Sequence, residues 1–378
     1  MTVRQAMPLF WKYLFVVATS CLLAFVISTQ ARASTPVASK APTTAASAAT
    51  NTVTRVADTN YAAAGPSTVQ VIEETWRDAA RGRDVPVRIY APSAESAPKG
   101  KLAVILFSHG LGGSRAGGRA WGEHWASHGF VSVHLQHAGS DESIWRSKRA
   151  AQAEADLKGA MTINNLSLRV GDVHYVLDEL ARRVRIDAGW PWRELDLSRI
   201  GMSGHSFGAQ TTLAVSGLQS PGVGGMAGYD KRITAAIAFS PNARNKRVLD
   251  KQFGGITMPF MSITGTLDGA VLGDGTKPSD RELPFRHMAP GNKYLLVMDG
   301  GDHSVFGGHT LGGRRSETAR DQEIQADVKA ASLAFWNAQL RNDAAASSWL
   351  TGATAAEVNL KNSGMRSSLN AADRYEYR

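Results

Sequence analysis

The chain has 378 residues, 43% of them hydrophobic and 20% charged, with 37 glycines and a formal net charge of +9. That composition is globular and excludes a disordered or fibrous chain. With its long apolar run confined to the first thirty residues, the sequence also excludes a multi-pass membrane protein. One cysteine, Cys21, supplies no material for a disulfide framework, a thiolate metal site or thiol catalysis.

Arg4 and Lys12 precede an apolar run from Tyr13 to Ile27, and Ala31-Arg32-Ala33 follows as a small-x-small pattern before Ser34. This layout predicts a signal peptide over 1–33, cleaved near Ala33, and export to the periplasm or beyond. A retained anchor is the alternative, but as a helix the run spans only about 22 Å against a hydrocarbon core of about 30 Å. Residues 34–65, rich in Ala, Thr, Ser and Pro, read as a flexible linker. A catalytic domain is expected over 66–340, and 341–378 as a tail that packs peripherally or stays loose.

Within the domain, Val69-Gln70-Val71 and Val85 to Tyr90 read as strands joined by a turn through Gly82, with Pro86 placing the second near an edge. Leu102 to Phe107 and Phe130 to Leu135 are continuous apolar runs, as strands buried on both faces are. Ser114 to His128 between them predicts a helix closed by Gly129. Leu166, Val170, Val173, Leu177, Leu180 and Val184 recur in steps of three and four and mark one helix face. Ile200 to Ser203 predicts a strand running into a Gly-rich turn and a helix over Ala209 to Ser216. Ala235 to Phe239, Pro259 to Thr264 and Tyr294 to Met298 predict three more buried strands, and Ile324, Val328, Ala331 and Phe335 a last helix. Buried strands alternating with helices predict one α/β domain: a mostly parallel sheet of about eight strands, the first ones antiparallel, with helices on both faces.

The chemistry concentrates in Ile200-Gly201-Met202-Ser203-Gly204-His205-Ser206-Phe207-Gly208-Ala209. Gly204-x-Ser206-x-Gly208 between a strand and a helix is a nucleophile-elbow pattern, in which a sharp turn lifts the serine oxygen clear of the sheet. A serine hydroxyl needs a base, and the base an orienting acid. The order Ser, acid, His selects among His287, His303 and His309. His303 follows a buried strand and is the expected base, with His309 second. Asp268, just past the strand Pro259 to Thr264, is the expected acid; Asp274, Asp280, Asp299 and Asp302 are less well placed. The oxyanion needs backbone donors. Phe207 N–H supplies one. The loop Phe107-Ser108-His109-Gly110-Leu111-Gly112-Gly113-Ser114 supplies the other, from Leu111 or, next to it, Gly112.

Those two segments, with Trp125-Ala126-Ser127-His128-Gly129-Phe130-Val131, His137-x-Gly139-Ser140-Asp141 and Thr264-Gly265-Thr266-x-Asp268, resemble the dienelactone-hydrolase-like branch of the α/β-hydrolases. Within it the chain is similar to platelet-activating-factor acetylhydrolases and, more distantly, to cutinase-type polyesterases. The resemblance implies an α/β-hydrolase fold and cofactor-free hydrolysis of carboxylic esters. It implies Ser206 as nucleophile, Asp268 as acid, His303 as base and Leu111 as one oxyanion donor. Dienelactone hydrolases proper carry a cysteine where this chain has Ser206, which argues against dienelactone as substrate.

Nothing in the sequence has the spacing of a metal site, and no basic stripe with a recognisable module points to nucleic acid. The partner is expected to be a small-molecule ester. His137 to Asp141 should border the site, either touching substrate or ordering the segment that follows. Residues 142–165 read as a surface helix, with a wall over the pocket as the alternative.

Overall fold

The strand Leu102–Ser108 is buried along its whole length, and its side chains divide between two cores. Leu102, Val104 and Leu106 enter one apolar cluster, Ala103, Ile105 and Phe107 the other. Alternation on a strand sends successive side chains to opposite faces, so a run apolar at every position must be covered on both.

The computed structural model describes residues 60–187, 189–219, 228–243, 246–308, 318–353 and 358–378. The expected signal peptide, the linker as far as residue 59, Cys21 and His309 lie outside the described residues. In chain order the strands are β1 (Val69–Asp78), β2 (Arg83–Pro92), β3 (Leu102–Ser108), β4 (Val131–Leu135), β5 (Leu195–His205), β6 (Ile233–Phe239), β7 (Phe260–Leu267), β8 (Lys293–Asp302) and β9 (Arg374–Tyr377). They form one nine-stranded sheet in the order β1-β2-β4-β3-β5-β6-β7-β8-β9. β1, β2 and β9 pair antiparallel and the strands between run parallel. The fold is α/β, with the mostly parallel sheet and antiparallel first strands of an α/β-hydrolase, and one strand more than expected.

The helices are α1 (Arg119–Ser127), α2 (Ala150–Ala160), α3 (Ile163–Ile186), α4 (Phe207–Val215), α5 (Leu249–Phe253), α6 (Leu283–His287), α7 (Ala319–Leu340), α8 (Ala344–Thr351) and α9 (Gly364–Ser368). Val170, Val173, Val176, Leu177 and Leu180 of α3 cover one face with Leu213 and Ala214 of α4. Trp121 and Trp125 of α1 cover the other with Ile324, Val328, Phe335 and Trp336 of α7. The strand order reverses where the chain leaves β3 for β4 and returns to β5 on β3's other side. The carboxyl ends of β3 and β5 therefore flank the crevice where ligands bind in open α/β sheets.

Element boundaries differ from expectation in several places. α1 starts at Arg119, not Ser114, because Gly118 sits at φ 75° and a Cβ there would lie 2.5 Å from the Phe107 ring. Pro86 lies on β2, next to the edge strand β1 and so near the edge as expected, at a position outside the β2–β4 pairing. The packed chain also begins before residue 66. Tyr61 is buried, its carbonyl accepts from His124 Nε2 at 3.0 Å, and its ring meets Trp349 edge-on. The segment 341–378 carries α8, α9 and β9, and β9 occupies the sheet edge beside β8. Among the described residues, no helix is long and apolar enough to cross a membrane.

Candidate active site

Ser206 stands between β5 and α4 at φ 58°, ψ −112°, a backbone conformation that side chains rarely adopt. Its flanking glycines make the turn possible. A Cβ on Gly204 would lie 2.4 Å from Gly208 O, and one on Gly208 would lie 1.9 Å from Ser108 O. The elbow is thus pressed against the end of β3, and Ser206 N–H donates to Phe239 O at 2.9 Å to tie it to β6.

The two residues expected from chain order as acid and base meet. His303 Nδ1 lies 2.7 Å from Asp268 Oδ1, with the carboxylate fully buried and the imidazole mostly so. A carboxylate only accepts, so Nδ1 carries the proton and Nε2 keeps its lone pair. β7 and β8 bring the pair together through a close backbone approach: a Cβ on Gly265 would lie 2.3 Å from Gly301 O. His205 Nε2 hydrogen-bonds His303 O at 2.9 Å, and the two rings stand 4.6 Å apart. The base loop is therefore anchored on the residue next to Ser206. Val305–Gly307, just after the base, is held where Trp121 Nε1 donates to Phe306 O at 3.2 Å.

Asp268 has two further partners that the sequence did not reveal. Thr264 Oγ1 donates to Oδ2 at 2.8 Å, and Arg281 Nε lies 2.6 Å from Oδ1. Arg281 is itself buried and donates to the carbonyls of Ser240, Asp268 and Gly269 at 2.7 to 2.9 Å. Burial pushes its guanidinium below the usual arginine range, and the Asp268 charge pulls the other way. Thr264 sits four residues before Asp268 in a motif already singled out. Arg281 lies thirteen residues beyond, in a polar loop with no signal of its own.

The expected oxyanion donors lie on the two elements that touch. Gly110 packs on the elbow: a Cβ there would lie 3.5 Å from Ser206 Cβ. Among the described residues, neither Leu111 N–H nor Phe207 N–H is engaged in a backbone hydrogen bond. The alternative donor, Gly112 N–H, is occupied by Ser140 O at 2.9 Å. The loop is held from outside as well. Trp145 Nε1 donates to Gly112 O at 2.6 Å, Glu142 N–H donates to Gly113 O at 2.7 Å, and the Leu157 side chain abuts Gly112. Residues 142–165 carry a mostly exposed surface helix, α2, as expected, and touch the loop through Glu142, Trp145 and Leu157. His137 and Asp141 are buried and bonded to scaffold groups, so they order this segment. Asp274 and His287 point elsewhere: Asp274 accepts from Thr276 N–H, and His287 pairs with Asp250.

A sequence model of the family described as platelet-activating factor acetylhydrolase, isoform II, matches residues 84–187. The match runs from β2 to the end of α3 and includes the loop that carries Leu111. Ser206, Asp268 and His303 lie beyond it and rest on their geometry. No curated protein matches the chain. By its sheet topology and this match, the chain is an α/β-hydrolase of the carboxylic ester hydrolase class, similar to the platelet-activating factor acetylhydrolases.

Proposed function

We propose that the protein is an exported serine esterase that cleaves small or short-chain acyl esters through Ser206, His303 and Asp268. The observation that carries this reading is the 2.7 Å contact between Asp268 and His303, whose carbonyl is bonded at 2.9 Å to the residue preceding a serine held at φ 58°. His303 Nε2 takes the proton of Ser206 as the hydroxyl attacks the acyl carbon. Asp268 holds the imidazole tautomer and stabilises the imidazolium. The N–H groups of Leu111 and Phe207 receive the oxyanion, to which each donor contributes on the order of 10²–10³ in rate. His303 then protonates the leaving alcohol, and an acyl-enzyme remains on Ser206. Water, activated by the same histidine, releases the acid. Export rests on the leader pattern in 1–33, and the short-chain preference on the family resemblance.

The test is hydrolysis of p-nitrophenyl acetate and butyrate by the wild-type protein beside Ser206→Ala. Turnover that falls at least 10³-fold in the variant is expected. A folded wild type with no more activity than the variant would overturn the reading. Cell fractionation checks export, which predicts the chain outside the cytoplasm with Ser34 as its first residue.

A further inference from the structure

Beneath the loop that carries Leu111 lies a buried set of charged and polar side chains that the proposed reaction does not use. Arg169, on α3, is fully buried. Its Nη1 donates to His109 O at 2.7 Å, its Nε to Ser140 Oγ at 2.8 Å, and its Nη2 to Ser140 O at 3.3 Å and Gly110 O at 3.5 Å. Its guanidinium also lies 4.5 Å from the centre of the Phe207 ring. One side chain thus grips the two segments that carry the proposed oxyanion donors.

The grip has a direction. A trans peptide is planar, so the carbonyl of Gly110 and the N–H of Leu111 point opposite ways. Gly110 O is held by Gly113 N–H at 3.0 Å, by His109 Nδ1 at 2.6 Å and by Arg169. His137 N–H donates to His109 Nε2 at 3.0 Å, so the His109 proton sits on Nδ1 and is aimed at Gly110 O. With that oxygen fixed toward Arg169, Leu111 N–H faces away from it. Burial, then the charge of Arg169, keeps His109 well below its usual range and so in this neutral tautomer.

The charge that faces Arg169 is equally well fixed. Asp172, one turn along α3, accepts from Arg81 Nη2, Arg83 Nε and His137 Nδ1 at 2.7 to 2.9 Å. His137 Nε2 in turn meets Ser108 Oγ at 2.9 Å. Ser108, His137 and Asp172 repeat the connectivity of a hydrolytic triad, but all three are sealed from solvent. No substrate reaches them, and Ser108 Oγ accepts from Arg169 Nη1 at 3.3 Å. The constellation is a brace.

We infer that Arg169 is a positioning residue of the oxyanion hole, aiming Leu111 N–H through the Gly110 carbonyl and steadying the helix start at Phe207. The inference rests on the proposed roles of Leu111 and Phe207. Substituting Arg169→Lys keeps the charge and loses the fork that reaches three carbonyls and two hydroxyls at once. For p-nitrophenyl acetate, kcat is expected to fall about 10–100-fold with KM within about threefold, a part of the loss from deleting a whole donor. A trifluoromethyl ketone, whose adduct carries the oxyanion, should lose affinity by the same factor as kcat/KM. A purely structural role would lower thermal stability without this parallel loss. Should Arg169→Lys not fold, Ser140→Ala removes the acceptor of Nε, along with a 3.2 Å bond to His137 O, and is expected to lower kcat several-fold with the same signature. An active enzyme in which the variant keeps wild-type kcat and ketone affinity would overturn the inference alone. A wild type indifferent to Ser206→Ala would overturn the reading beneath it, and the inference with it.

Discussion

Asp268 is bonded on both oxygens, to His303 and Arg281 through Oδ1 and to Thr264 through Oδ2. With Arg281 and Thr264 holding the carboxylate in place, His303 has a fixed acceptor for Nδ1–H, which keeps the lone pair on Nε2. Asp268→Asn preserves the shape but removes the charge that stabilises the imidazolium, and an amide turned with its N–H₂ toward Nδ1 also forces the other tautomer. Activity toward p-nitrophenyl butyrate is expected to fall about 10³–10⁴-fold. The same substitution leaves Arg281 buried beside a neutral group, so unfolding in urea should occur at lower denaturant, by roughly 3–5 kcal/mol. Wild-type activity in a folded Asn variant would remove Asp268 from the proposed mechanism. That Ser206, Asp268 and His303 fall at or just beyond the ends of buried strands was legible from the apolar runs that precede them. Arg281 and Arg169 were not: a buried arginine in a loop or on a helix reads, in sequence, like a solvated one. Only the fold brings Arg169 within reach of residues sixty positions earlier.

At the scale of elements, the elbow is a crossing of β5, α4 and the end of β3 at distances that exclude side chains. Gly208→Ala would place a methyl 1.9 Å from Ser108 O, a backbone atom in a central strand that cannot turn aside. The expected cost is about 3 kcal/mol or more, at the upper end of overpacking in cores. Because Ser108 leads directly into the Leu111 loop, the displacement also reaches the proposed oxyanion donors. Urea denaturation and active-site titration with a fluorophosphonate should show lower stability and slower labelling together. A variant as stable and as reactive as wild type would mean that the elbow and β3 are not in contact. The element pattern itself was readable from hydrophobic runs, since strands covered on both faces need no alternation to be recognised. Its failures have local causes. The start of α1 is set by Gly118 and the Phe107 ring, a contact between a strand and the residue before a helix. β9 is four residues, Arg374–Tyr377, too short and too charged to announce itself as a strand. It forms because β8 offers an unpaired edge in register with it.

For the whole molecule, stability depends on histidines that are folded in neutral. His134 and His137 are fully buried and His124 nearly so. Burial drives His134 and His124 from 6.5 to about 3 and His137 to about 4; Arg169 adds to the effect on His137, and Asp172 opposes it. Their surroundings account for the neutral form. His134 lies between the Tyr90 and Phe107 rings and bonds Gly117 O and Ser132 Oγ. His124 bonds Tyr61 O, with the His128 ring beside it. Each group binds its proton less tightly in the folded protein than in the unfolded chain. Stability is therefore full above 6.5 and falls as pH drops from there toward 4 and 3, because the unfolded chain takes up protons that the native state excludes. Each histidine contributes a slope of about 1.4 kcal/mol per pH unit in that window. Asp172 behaves differently. Burial pushes it up, but hydrogen bonds from His137 and Arg83 outweigh this and bring it to about 2, so its contribution is lost only in stronger acid. Acid unfolding should thus begin in the histidine range, before the carboxylates titrate. Urea midpoints at pH 7.5, 5.5 and 4.5 are expected to fall steeply across the last two. His124→Gln keeps a donor for Tyr61 O and removes one titrating group, so it should flatten the slope by about 1.4 kcal/mol per pH unit. Stability unchanged between pH 7.5 and 4.5 would mean that the imidazoles are charged, or free to become so, inside the folded protein. The neutral His109 tautomer that aims the Gly110 carbonyl would then lose its basis as well.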